Sequence, residues 1–274
     1  MRRLIKAFLS LISFMTIIPT KVHDVELAAR YFYLSPLVGL IRGLIVAFAT
    51  ALTYIVTNDP FTTSIVVIVV HMIIQGFNHI DGFIDFSEAM LSGKRGFDAL
   101  KVVKDTHRGS FAIASFSTFI LVSLALINYA VRYLHNSLLL VVPIATSEIS
   151  SSTTMFLLAT MSRLPNYKGL GSLFISSSKG LSNLIKFMVV MVISISPIVL
   201  YGYIINYFTP IIYSVLVTLV ISSIISSVVS KYLADRVIGF TQGDVLGFSN
   251  EVSWITYFFV LVLLISKVLT LSSN

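Results

Sequence analysis

Seven apolar runs, at about 31–57, 61–80, 110–132, 138–161, 185–206, 209–230 and 250–270, are each long enough to carry a helix across the ~30 Å hydrocarbon core of a bilayer. Lipid offers no partner to an open backbone N–H or C=O, so each crossing must close its hydrogen bonds within itself, as a helix does. The expected fold class is all-α: a polytopic membrane helix bundle of about seven transmembrane helices. Composition agrees, with 56% hydrophobic and only 11% charged residues where soluble chains carry about a quarter. No repeat or soluble domain interrupts the pattern, so residues 1–274 read as a single integral membrane catalytic domain.

The first segment, MRRLIKAFLSLISFMTIIPT, has the charged start and apolar middle of a signal peptide, but no small-residue cleavage site follows. It is too short to span and is interrupted by Lys6, so a short N-terminal interfacial helix is expected.

Connections between runs alternate between short ones, near Asp59, His135 and Pro210, and long ones at about 91–109, 162–184 and 231–249. Of the 19 Lys and Arg residues, all but Arg42, Arg132 and Lys267 fall on the side of the N-terminus and the long loops. The positive-inside rule then makes that side cytoplasmic, as in a multi-pass protein of the plasma (cell inner) membrane. A formal charge of +7 does not indicate nucleic acid, because the cations punctuate apolar runs and form no basic face. There is no cysteine, so a bound metal must be held by oxygen or imidazole.

Acids are scarce, and three of them end the second run in HIDGFIDFSEAM, residues 79–90. Asp81, Asp85 and Glu88, spaced i, i+4, i+7, share a helix sector of about 60°. Carboxylates so crowded beside a bilayer call for a cation, and an all-oxygen set suits Mg²⁺. Gly82 leaves room for a second helix or a phosphate, and His79, on the opposite side of the helix, reads as a core or capping residue. The following loop, SGKRGFDALKVVKDTHRGSF, sets Asp98 and Asp105 among Lys101, Lys104, His107 and Arg108. In RVIGFTQGDVLGFSNEVSWITY, Asp244, Gly247 and Glu251 share a face at the start of the last run, and SRLPNYKGLGSLF adds glycines, Arg163 and Lys168. Clustered acids interleaved with Lys, Arg and Gly suggest a pyrophosphate substrate and transfer of a phosphoryl-linked group to an alcohol.

HIDGFIDFSEAM, KDTHRGSF, RLPNYKGLGSLF and TQGDVLGFSNE, together with FYLSPLVGLIRG, resemble in order and separation the motifs of the cobalamin synthase family, the adenosylcobinamide-GDP ribazoletransferases. That resemblance implies Mg²⁺-dependent attack of alpha-ribazole, or its phosphate, on adenosylcobinamide-GDP, with release of GMP. It aligns Asp81, Asp85 and Glu88 with the first acidic motif, Asp105 with the second, and Asp244, Asn250 and Glu251 with the last. The chain departs from the family's usual pattern at Glu88, where Asp is more common, and at Thr106-His107-Arg108.

The mechanism expected on this basis has Asp81, Asp85 and Glu88 holding one Mg²⁺ and Asp244 and Glu251 contributing to a second. Asp105 serves as base or third ligand, and Lys104, Arg108, Arg163, Asn250 and Gly82 meet the substrate. Gly39 and Gly43, in GLIRG, should permit close helix packing, with Arg42 turned inward and paired to the mid-span Glu148. Membrane lipid surrounds the bundle, no nucleic acid is a partner, and a homodimer is left open. Two alternatives share parts of this pattern: a CDP-alcohol phosphatidyltransferase-like enzyme, though no Arg follows Gly82 closely, and an ion-coupled transporter using Asp81, Glu148 and Asp244.

Overall fold

The computed structural model describes residues 2–163, 168–205 and 209–272 and contains only helices among them. Six helices are long and apolar enough to cross a membrane. They are α3 (Ser35–Thr57), α7 (Ser110–Leu134), α8 (Ser137–Met161), α10 (Leu181–Ile204), α11 (Thr209–Val237) and α12 (Gly243–Ser272). Their outer faces carry exposed Phe48, Ile55, Ile113, Leu121, Val192 and Leu200, the surface a lipid-facing bundle needs.

The run expected at 61–80 is not one straight helix. α4 (Pro60–Ile74) stops short, and α5 (Asn78–Leu91) leaves it at 94°. The corner is made by Gly76 at φ +62° and Phe77 at φ +60°, two successive left-handed residues that end the α-helical ladder. Glycine adopts that conformation without strain, whereas Phe77 is held in it by its N–H bonded to the Met72 carbonyl. α4 therefore runs back toward the loop side, and α5, which carries the acids, packs beside the first turns of α7 and α12, where the Phe83 ring meets Phe119 at 5.2 Å and Phe248 at 5.6 Å.

α8 is the central helix; from Leu140 to Ala159 almost every residue is buried. It can sit so close to α3 because of the expected small residues: a Cβ at Gly39 would lie 2.6 Å from the Glu148 carbonyl oxygen, and one at Gly43 2.5 Å from that of Ala145. Against α11 and α12 it presents hydroxyls, with Ser150 within 2.8 Å of Ser222 and Thr154 donating to Ser253 at 2.7 Å. These bonds replace the hydrophobic drive that helices lack between themselves in lipid.

The N-terminal segment forms α1 (Arg2–Met15), whose Ala7, Leu11 and Met15 are buried while Arg2 to Lys6 are exposed. α1 is tied to the corner through the Ile17 N–H, which donates to the Ile74 carbonyl at 2.9 Å. Three short helices, α2 (Val25–Arg30), α6 (Gly96–Val103) and α9 (Leu170–Ser177), and one 3-10 turn (Phe32–Leu34) complete the loop side. Short hairpins join α3 to α4 and α7 to α8, where Asn58 and His135 end their helices in the left-handed conformation.

Candidate active site

α5 is amphipathic in the way its acids require. Asp85 and Glu88 point into the protein and Asp81 stands at the exposed edge. Arg108, from the loop before α7, reaches across this face: its Nη2 lies 2.8 Å from Asp85 Oδ1 and 3.3 Å from Asp81 Oδ1. Its Nη1 donates to the Asp105 carbonyl at 2.7 Å, which fixes the guanidinium over both acids. Glu88 Oε1 accepts the Gly109 N–H at 2.7 Å. A Cβ at Gly109 would lie 2.4 Å from that oxygen, so a larger residue here would push the Glu88 carboxylate aside.

Two glycines draw α12 onto α5. A Cβ on Gly82 would meet the Asp244 carbonyl oxygen at 2.8 Å, and one on Gly247 the His79 carbonyl oxygen at 3.0 Å. Asp244, in the first turn of α12, thereby joins the same group, with Asp81, Arg108 and Lys104 as its charged neighbours. Burial and then the nearby Asp81 push the Asp85 carboxyl up to about 7; Asp244 and Glu88 add to the shift and Arg108 opposes it. Four carboxylates thus face chiefly one arginine, and the surplus of negative charge sits on hard oxygen donors, the chemistry that suits Mg²⁺. Among the described residues no three acidic or imidazole groups converge tightly enough to enclose an ion.

Asp105 is on the rim instead. Its Oδ1 accepts the His107 N–H at 2.9 Å, and this bond holds the carboxyl below its usual range. Arg163 and Lys168 are exposed at the edges of residues 164–167, which lie outside the described residues together with the middle of the RLPNYKGLGSLF motif.

Glu251, expected beside Asp244 as a metal ligand, is placed elsewhere. Two turns deeper in α12, its Oε2 pairs with His71 Nε2 at 3.0 Å and its Oε1 accepts Asn250 Nδ2 at 2.9 Å. His71 Nδ1 pairs in turn with Glu148 Oε1, and Arg42 Nη2 lies 3.0 Å from Glu148 Oε2. Asn250, expected at the substrate, also donates to Gln75 at 2.9 Å and accepts from Arg42 at 3.3 Å. The whole network is buried, and the His71 ring stacks on Trp254 at 3.9 Å. The cause is electrostatic: two glutamates inside a bundle must be paired, and Arg42 and His71 are the cations within reach. Sequence reading anticipated Arg42 with Glu148 but missed His71 and Gln75. The signal was an imidazole within the apolar run VVIVVHMIIQ, where an ionisable side chain needs a partner.

Fold and site together define a polytopic membrane protein with a carboxylate-rich centre at one end of its bundle. A family model described as cobalamin-5-phosphate synthase matches residues 7–263. The chain belongs to that family, whose members are transferases of cobalamin biosynthesis. It is 30% identical to the adenosylcobinamide-GDP ribazoletransferase of Saccharolobus islandicus over 206 residues, covering 72% of this chain and 76% of the relative. To that of Sulfolobus acidocaldarius it is 31% identical, covering 75% and 79%. The Fusobacterium nucleatum relative of the same name is 26% identical and aligns with 94% of this chain and 98% of its own length. No solved structure matches the chain. The phosphatidyltransferase and transporter alternatives lose their basis with this membership.

Proposed function

We propose that this chain transfers the adenosylcobinamide-phosphate moiety of adenosylcobinamide-GDP to alpha-ribazole or alpha-ribazole phosphate, releasing GMP. The observation that carries the reading is Arg108 bridging Asp81 and Asp85 beside Asp244, within a member of this family. In the reaction a ribose hydroxyl oxygen forms a bond to phosphorus, the phosphoanhydride bond breaks, and GMP departs with the bonding electrons. The hydroxyl proton passes to a carboxylate.

Asp81, Asp85, Glu88 and Asp244 are the residues that would hold Mg²⁺ or share its coordination. When bound, the ion neutralises anhydride oxygens and stabilises charge on the departing phosphate. Arg108, over Asp81 and Asp85, would meet the phosphate, with Lys104 and Arg163 adding positive charge from the rim. Asp105 keeps Arg108 in place through its carbonyl, and its rim position leaves the proton to Asp244 or Asp85. The site opens to the cytoplasm at the inner face of the plasma membrane, on the side where the basic loops gather.

Purified protein in liposomes, given adenosylcobinamide-GDP and alpha-ribazole phosphate, should yield equimolar GMP and cobalamin product with Mg²⁺ and none after chelation. Asp85→Asn should abolish both products while eluting as wild type does. Folded wild type that yields no GMP with any divalent cation sinks the reading.

A further inference from the structure

A groove of about 490 Å³ lies between α5, α7 and α12, on the side of α5 away from its acids. At about 100° per residue, Phe83, Ser87 and Met90 project nearly opposite to Asp81, Asp85 and Glu88. The buried rings of Phe83, Phe119 and Phe248 line the groove, and Leu91, Thr118 and Val122 form its exposed edge. None of the described residues lining it is charged.

Position along the spans says what can enter. Val122 and Ile255 each stand twelve positions beyond the first residue of their helix, about 18 Å along its axis. The exposed Leu121 and Phe259 carry the surface onward from there. A space at that depth, between two helices long and apolar enough to cross a membrane, opens to hydrocarbon and gives water nothing to bond.

The loop end of the groove has the opposite character. α5 stops at Leu91, and the chain continues at once through Lys94 and Arg95, both exposed. Phe97, 72% exposed, carries the Lys101 ammonium over its ring at 4.9 Å, a pairing suited to the boundary between lipid and water. An apolar slot that ends beside two cations calls for an amphiphile with a negative head. A second copy of this chain is a poor match, because nearly all of its Lys and Arg lie on this same side and would meet Lys94 and Arg95 as like charges.

We propose that the groove is a site for one acyl chain of an anionic phospholipid drawn from the surrounding bilayer, with the phosphate at Lys94 and Arg95. The chain lies along Phe119 and Val122 and fills the space behind α5. One face of that helix is then packed by lipid, while the other carries the acids. Bilayer and acidic cluster thereby share a single helix.

The protein supplies its own reporter. Trp254 is the chain's single tryptophan, fully buried, with its ring 6.1 Å from that of Phe119 in the groove wall. The full chain is placed in phosphatidylcholine vesicles containing a graded fraction of phosphatidylglycerol with brominated acyl chains, and contact quenching of tryptophan fluorescence is measured. Half of the quenching should be reached at about one fifth of the fraction needed when brominated phosphatidylcholine is used instead. Thr118→Phe, which adds bulk from the exposed edge, should remove most of the quenching. Replacing Lys94 and Arg95 together by Gln should keep the quenching and abolish the preference. Wild type that neither lipid quenches, as when a second copy covers the groove, overturns the site, and this arm needs no variant. Quenching that persists unchanged in Thr118→Phe overturns it as well, because the bromine then reaches Trp254 by another route. Equal quenching by the two lipids in wild type overturns the anionic headgroup.

Discussion

Arg108 approaches Asp85 more closely than it does Asp81, with Nη2 to Oδ1 distances of 2.8 and 3.3 Å, so the one guanidinium on this face is biased toward the buried acid. The asymmetry follows burial: Asp81 is largely in water, whereas Asp85 is not. Arg108→Ala should therefore leave Asp85 poorly compensated and lower kcat/KM for adenosylcobinamide-GDP on the order of 100-fold. Arg108→Lys keeps the charge without the two-acid reach and should recover only part of it. Steady-state kinetics of both variants decide the matter, and equal activity for Ala and wild type removes Arg108 from the site.

Metal affinity separates the acids of the site from those of the network. Mn²⁺ titrated into the purified protein and followed by paramagnetic resonance should bind at least tenfold more weakly after Asp81→Asn or Asp85→Asn. Glu251→Gln should leave that affinity unchanged and lower the unfolding temperature. The reverse pattern restores Glu251 as a ligand.

His71 bridges Glu148 and Glu251, and an imidazole facing carboxylates on both ring nitrogens is best matched to them when it carries both protons. His71→Phe retains the stacking on Trp254 and takes the imidazole from both glutamates, leaving Arg42 on Glu148 and the Asn250 amide on Glu251. We expect a loss of about 3–5 kcal/mol in unfolding free energy. A double-mutant cycle with Glu251→Gln should show coupling of about 1 kcal/mol or more, and simple additivity argues against the bridge.

These outcomes bear on how much of the molecule its sequence disclosed. The spans were legible because lipid leaves a long apolar run only one conformation, and GLIRG announced the α3–α8 contact because only small residues admit it. The grouping of Asp81, Asp85 and Glu88 on one face followed from helical periodicity. Periodicity also put Glu251 on the face of Asp244, and it could not register depth along α12, which sends one acid to the mouth and the other to the network. Nor could it foresee the corner at Gly76 and Phe77: an aromatic residue gives no sign of a left-handed conformation imposed by tertiary contacts.

Helix approach at the site rests on glycine. Gly82→Ala should force α5 from α12 and destabilise the protein by about 1–3 kcal/mol, with activity falling further as Asp244 shifts. Gly243→Ala, with its nearest foreign atom 3.9 Å from the added carbon, should unfold at the temperature of wild type. Thermal denaturation in one detergent compares them; equal losses would contradict close packing at Gly82.

Lys179 caps the end of α8 by donating to the carbonyls of Ala159 at 2.9 Å and Thr160 at 2.8 Å, and also to that of Ser162. Burial holds its ammonium below the usual lysine range, which makes these carbonyls its chief compensation. Lys179→Met should cost about 1–2 kcal/mol and speed amide exchange in the last turn of α8. Unchanged exchange there speaks against the cap.

The 94° corner between α4 and α5 also shapes how the protein is made. Because α5 turns aside from α4, its acids are completed only by contact with a helix far along the chain. That contact forms when α12, the last described helix to be synthesised, sets Asp244 against Gly82. A nascent chain lacking that helix can hold Asp81, Asp85, Glu88 and Arg108 and still lack Asp244, so the acidic group is complete only once α12 is in place.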